Sequence, residues 1–117
     1  MGLTVNMVTF DTHDAVALAD WWAAQTGGTV QAHDAEFVMV LPALPGQPAL
    51  GFQRVDDPTP GKNRVHLDLG ADDPAEAVKR LVASGATRVA GHTLPDGFAW
   101  TVLADPHGNQ FCVSRAH

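Results

Sequence analysis

Apolar and polar residues recur along the first half of the chain with the periods of strands and of one helix. Residues 4 to 10 are mostly β-branched or apolar and predict a strand that breaks at Asp11. A helix is expected over residues 15 to 25, with Asp14 as its N-cap and Gly27 as its stop. Three shorter strands are expected near residues 29 to 33, 36 to 42 and 48 to 55.

The same order of elements returns in the second half. Two prolines and a glycine in residues 56 to 63 forbid regular pairing, so this segment is a predicted linker. Residues 64 to 69 alternate polar and apolar as a half-buried strand does. A helix is expected after Asp73, with Pro74 in its first position and Gly85 at its end. Further strands are expected near residues 87 to 91, 97 to 104 and 110 to 114.

The two halves superpose at a fixed offset of 59 residues. Met7 then falls on His66 and Gln53 on Cys112, so the first and last strands of each half are 46 residues apart. The pattern predicts an α+β fold built from two βαβββ modules in a single domain. Module one is expected at about 3 to 55, the linker at 56 to 63 and module two at about 64 to 115.

Strand alternation sorts the side chains into two layers. One layer is apolar and should pack on the two helices: Val8, Phe10, Leu50, Phe52, Val65, Leu67, Leu69, Phe111 and Val113. The other mixes polar and apolar residues, as a small-molecule cleft does: Met7, Thr9, Gly51, Gln53, His66, Asp68, Gln110, Cys112 and Ser114. Trp100, two residues from Phe98, is a candidate for the wall of that cleft, and Phe37, Met39 and Leu41 share its phase.

Composition removes several classes of function. The 117 residues carry a formal net charge of -6 without a cluster of basic residues, which argues against nucleic acid as a partner. Cys112 is the single cysteine, so no disulfide forms within the chain. No apolar run reaches membrane-span length, which argues against a membrane protein, and the first residues lack the pattern of a signal peptide. We therefore expect a cytoplasmic protein.

Two motifs carry a family resemblance: Arg64-Val65-His66-Leu67-Asp68, and Asp105-Pro106-His107-Gly108-Asn109. With them, the chain resembles the glyoxalase-like branch of the vicinal oxygen chelate superfamily, which also holds bleomycin-resistance proteins and extradiol dioxygenases. The resemblance implies that the paired modules form an incomplete eight-stranded barrel around a cleft. It also implies a homodimer, although whether the cleft forms within one chain or by module swapping stays open.

Metal-dependent members of the superfamily place their ligands on the first and last strands of each module. The resemblance puts those positions at Met7, Gln53, His66 and Cys112. Only His66 is an ordinary ligand for a hard or borderline divalent ion, because a thioether and an amide are poor ones. We therefore expect no metal and no other cofactor, with zinc held by His66, Cys112 and added water as the one alternative.

Two functions follow as hypotheses. The first is a metal-free protein that binds a small, mostly apolar or aromatic molecule, in a resistance or sequestration role and without catalysis. Its expected ligand-binding residues are Met7, Thr9, Met39, Gln53, His66, Asp68, Trp100 and Cys112. The second is a lyase, isomerase or dioxygenase that uses a metal or pairs His66 with Cys112 as catalytic residues.

The remaining polar motifs are interpreted as structural. Residues 105 to 109 contain the residue types that tight turns select, so they predict a turn into the last strand. Five other histidines are expected in loops or at the terminus, without a chemical role: His13, His33, His92, His107 and His117.

Overall fold

The computed structural model describes residues 2 to 116, and His117 lies outside them. The chain divides into two compact units that meet between Pro60 and Gly61, inside the segment predicted as a linker. Each unit contains one four-stranded sheet and one helix, which confirms the α+β class and the βαβββ order.

Unit one has the strand order β1-β4-β3-β2, in which β1 and β4 are parallel and the other neighbours antiparallel. Its elements are β1 (Met7–Thr12), α1 (Ala15–Thr26), β2 (Thr29–Ala32), β3 (Phe37–Leu41) and β4 (Ala49–Arg54). Unit two repeats this topology as β5-β8-β7-β6. Its elements are β5 (Asp68–Ala71), α2 (Pro74–Ala83), β6 (Thr87–Thr93), β7 (Ala99–Ala104) and β8 (Gln110–Arg115).

Both helices begin and end where their local sequence predicts. The Asp14 carboxylate accepts a hydrogen bond from the Ala17 amide at 3.1 Å, and Gly27 closes α1 in the left-handed region at φ 74°. In α2, Asp73 accepts from the Glu76 amide at 3.2 Å, and Pro74 occupies the first turn.

Each helix covers one face of its own sheet. In unit one, the ring of Trp22 from α1 lies 5.7 Å from Phe10, which stacks on Phe52 at 5.0 Å. In unit two, Leu81 of α2 is buried together with Phe111 and other apolar residues of β7 and β8. The opposite side of each sheet, which we call its far face, carries the mixed layer of polar and apolar positions.

Both first strands lie further along the chain than the sequence predicts. β1 begins at Met7 because its partner β4 begins at Ala49, and it continues to Thr12 opposite Arg54. β5 begins only at Asp68, so the prediction of a strand over 64 to 69 is wrong at its start. Residues before Asp68 have no ladder partner in β8, and Val65 is 76% exposed instead of packing on a helix.

The fixed offset of 59 residues fails between the first and last strands. Met7 pairs with Ala49, a separation of 42 residues, whereas Asp68 pairs with Cys112, a separation of 44. When β1 is superposed on β5, β4 therefore matches β8 at an offset of 61. The counterpart of Cys112 is then Gly51, and the predicted equivalence of Cys112 with Gln53 is wrong.

Candidate functional site

Three different donor side chains converge on the far face of unit two. Asp68 and Cys112 are ladder partners on the parallel strands β5 and β8, so their side chains leave the same face. His66 lies just before β5, and its Nδ1 is 3.1 Å from Asp68 Oδ1 and 4.0 Å from Cys112 Sγ. The donor atoms of the three residues all lie within 4.8 Å of one another.

Asn63 ties the segment that carries His66 to the start of β8. Its side-chain amide accepts from the Gln110 amide at 2.7 Å and donates to the Gln110 carbonyl at 3.0 Å. The same amide nitrogen lies 2.7 Å from the Val65 carbonyl, directly before His66. The side chain thus takes the place of a ladder neighbour where β5 has not yet begun, which positions His66 beside Cys112.

The environment of Cys112 keeps its thiol protonated. Partial burial raises the pKa of this thiol above its ordinary value, and the charge of Asp68 and a hydrogen bond to it raise it further. Lys62 acts in the opposite direction, as the smallest of the four influences. A nucleophilic cysteine needs a lowered pKa, so this surrounding does not activate Cys112 as a nucleophile.

Aromatic rings cluster on the same far face of unit two. The His92 ring stacks on Trp100 with centroids 5.1 Å apart, and Phe98 lies 5.9 Å from Trp100 in a tilted arrangement. Trp100 pairs with Ser114, the next far-face position after Cys112 on β8. The rings therefore lie one ladder step along the sheet from the donor cluster.

His92 corrects one expectation of the sequence. It lies in β6, opposite Trp100, and not in a loop. The expectation failed because Gly91 was taken to end the strand, whereas the β6–β7 hairpin continues to Thr93 opposite Ala99. Asn63 was also missed, because its partner is 47 residues away in sequence.

The four site candidates in unit one share the far face of the other sheet. Met7 and Thr9 lie in β1, Met39 in β3 and Gln53 in β4. A Cβ built on Gly51 would be 2.9 Å from both Met7 Sδ and Thr9 Oγ1, so the absence of a side chain at Gly51 lets both close over it. The part of these residues in ligand binding stays a prediction.

The four positions implied by the family resemblance do not fit a shared hard divalent ion. Met7 lies opposite Ala49, four residues before Gln53, so the two backbone positions are about 13 Å apart along the strands. Neighbouring ligands of one ion are only about 3.5 Å apart. Thioether and amide groups are also poor partners for such ions, so no reaction step is derived through a metal at these positions.

The turn motif at residues 105 to 109 is structural. The buried Asp105 carboxylate accepts from the amides of His107 at 2.9 Å and Asn109 at 3.0 Å, and also from the Asn109 side chain. Gly108 takes a left-handed φ of 92° within this turn.

A family model described as a glyoxalase-like domain matches residues 7 to 114, which include every strand and helix except the last residue of β8. The chain belongs to the glyoxalase-like domain family. With its structural neighbours, this match supports membership of the vicinal oxygen chelate superfamily. Among curated proteins, none matches the chain significantly.

Solved structures share the fold at low sequence identity. A glyoxalase/bleomycin resistance protein/dioxygenase family enzyme from Burkholderia phytofirmans PsJN is 19% identical with a TM-score of 0.77, covering 98% of this chain and 100% of the other. A superfamily member from Sphaerobacter thermophilus DSM 20745 is 24% identical with a TM-score of 0.74, covering 98% of each chain.

A further structural neighbour has a stated role. The bleomycin resistance determinant encoded on the transposon Tn5 is 18% identical with a TM-score of 0.68, covering 95% of this chain and 96% of the other. These likenesses establish the glyoxalase-like fold. Within residues 2 to 116, neither helix is long and apolar enough to cross a membrane.

Proposed function

We propose that this glyoxalase-like chain binds a small, flat, mostly aromatic or apolar molecule on the far face of unit two. The observation that carries the proposal is the cluster of His92, Phe98 and Trp100 beside a group of polar side chains. Aromatic rings offer a rigid apolar surface on which a flat ligand stacks. His66 and Asp68 then supply polar contacts that orient the ligand.

The binding role needs no hard divalent ion. The positions that the resemblance assigns to such an ion carry Met7 and Gln53 in unit one, and their chemistry does not support one. A resistance or sequestration role fits a protein that holds a ligand without converting it. The fold shared with the bleomycin resistance determinant supports this role by analogy.

An enzyme that uses Cys112 and His66 as a nucleophile and base is the less favoured alternative. Such a mechanism needs the thiolate of Cys112 at neutral pH, whereas burial and Asp68 raise the pKa of this thiol. The geometry therefore supports binding better than covalent catalysis at this residue.

The binding proposal is tested with a defined aromatic probe. We would titrate the chelator-treated protein with 8-anilinonaphthalene-1-sulfonate and follow probe fluorescence and tryptophan quenching. Binding should persist in EDTA, and Trp100→Ala should weaken it about tenfold through loss of ring stacking. Trp100→Phe should retain part of the affinity.

Trp21→Phe is the matched control, because Trp21 is a partly exposed tryptophan on α1 in the other unit. It should leave probe affinity unchanged. Equal affinity of wild type and Trp100→Ala would contradict the proposed face, and a requirement for added Mg²⁺ or Mn²⁺ would contradict binding without a hard ion.

A further inference from the structure

We infer that unit two by itself forms a site for one zinc-class divalent cation, with His66, Asp68 and Cys112 as its three protein ligands. This inference goes beyond the proposed binding of an organic molecule. It also differs from the four-position arrangement, because every ligand comes from one unit and Asp68 takes part.

The separations of the donor atoms match those around a tetrahedral ion. Zinc bonds of ordinary length place neighbouring nitrogen, oxygen and sulfur ligands about 3.3 to 3.5 Å apart. Here His66 Nδ1 is 3.1 Å from Asp68 Oδ1 and 4.0 Å from Cys112 Sγ. Shifts of about half an ångström or less bring both distances to those values.

A single nitrogen faces both of the other donors. If Asp68 only oriented the imidazole, it would bond the nitrogen remote from the ligand-binding position. Instead the Nδ1 atom of His66 makes both contacts, so the carboxylate and the sulfur converge on the same side of the ring. This arrangement is that of three ligands around one point.

The mixed donor set selects the class of cation. Thiolate and imidazole favour zinc and similar borderline ions, whereas magnesium and calcium take oxygen ligands. Side chains of His66 and Asp68 remain 43% and 72% exposed, so a fourth position is open to water or to an exogenous ligand. Three protein ligands and one open position are typical of reactive zinc sites.

The duplicated fold provides an internal control. By strand register, the counterparts of His66, Asp68 and Cys112 in unit one are Met7, Thr9 and Gly51. These offer a thioether, a hydroxyl and no side chain, so unit one lacks a comparable donor set. One ion per chain is therefore expected.

The inference is tested with the metal alone. The chelator-treated chain is titrated with ZnCl₂ by calorimetry and with CoCl₂ by absorbance. We expect one ion per chain, a near-ultraviolet thiolate-to-cobalt charge-transfer band, and visible bands of low-symmetry Co²⁺. MgCl₂ should give no binding heat.

Variants then assign the ligands. Cys112→Ser should abolish the charge-transfer band, and His66→Ala and Asp68→Asn should each weaken zinc affinity at least about tenfold, since even outer-shell partners act on that scale. Met7→Leu is the matched control at the counterpart of His66, and it should change neither affinity nor stoichiometry. Far-ultraviolet circular dichroism confirms that each variant is folded.

The ¹¹³Cd resonance of the wild-type chain reports sulfur ligation without any substitution. Absence of uptake, a cadmium shift without sulfur, or unchanged zinc affinity in Asp68→Asn would each overturn the inference. The outcome is separable from the proposed function, because Trp100→Ala should keep metal binding and EDTA should leave probe binding intact.

Discussion

Single side chains do much of the local work in this molecule, and Asp105 is the clearest example. Its carboxylate is 4% exposed and accepts hydrogen bonds from two backbone amides and one side chain. These bonds shape the turn that leads β7 into β8, and Cys112 lies on that last strand. A residue with no ligand role therefore determines where a candidate ligand-binding strand begins.

Replacing Asp105 with Ala should lower the free energy of unfolding by about 1 to 3 kcal/mol, because buried donors lose their acceptor. Chemical denaturation followed by circular dichroism measures this loss. Asp96→Ala is the control, since the exposed Asp96 accepts a single bond from the Phe98 amide at 2.9 Å. An equal loss in both variants would contradict the role assigned to Asp105.

The reactivity of Cys112 gives a second prediction at this scale. Because burial and Asp68 raise the pKa of the thiol above its ordinary value of 9.0, alkylation by iodoacetamide should be slow at pH 7 and rise only in alkaline solution. Asp68→Asn removes the neighbouring negative charge, so it should lower the thiol pKa and speed alkylation severalfold at pH 8.

The measurement is the pH dependence of the alkylation rate, followed by mass spectrometry of the metal-free protein. Asp72→Asn replaces an exposed carboxylate just after β5 and serves as the control for net charge. A thiol that alkylates faster than free cysteine at pH 7 would disagree with this environment.

At the scale of elements, local signals were predictable and long-range pairing was not. The caps of α1 and α2 follow from residues within four positions of each other, so Asp14, Gly27 and Asp73 identified them directly. The start of β5 depends instead on where β8 begins, which is more than 40 residues away. For the same reason, the donor cluster was only partly predictable.

Alternation placed Asp68 on the same face as His66 and Cys112, because the side-chain period of a strand is two residues. Alternation does not give neighbours across a ladder, so the pairing of Asp68 with Cys112 needed the structure. The stacking of His92 on Trp100 depends in the same way on the register of the β6–β7 hairpin.

Asn63 gives a prediction for the element it stabilises. Asn63→Ala should lower the free energy of unfolding by about 1 to 3 kcal/mol, because the Gln110 amide and carbonyl lose their side-chain partners. Hydrogen exchange at the Gln110 amide should accelerate more than exchange in β4. Asn6→Ala, at an exposed position before β1, is the control and should change neither quantity.

The whole molecule consists of two units with the same topology and different surface chemistry. Each sheet ends in strands that have a neighbour on one side only within their own unit: β1 and β2 in one, β5 and β6 in the other. Such edges carry backbone groups that a second chain can pair with, and all four residues of β2 are exposed.

We therefore predict a homodimer, as proposed from the family resemblance. Light scattering coupled to size-exclusion chromatography should give twice the mass of the chain at micromolar concentration. A mass equal to one chain across the accessible concentration range would contradict the prediction. A cytoplasmic location is likewise proposed, and fractionation of the native host would test it.

The difference of two residues between the paired separations in the units has a consequence for the history of such duplicated proteins. A shift by an even number conserves inside and outside, so hydrophobic burial tolerates it, yet it replaces every cross-strand companion. Selection for stability would not detect such a slip, whereas chemistry would. Transferring ligands from one repeat to its sibling by counting alone can therefore name a residue of the correct orientation and the wrong address.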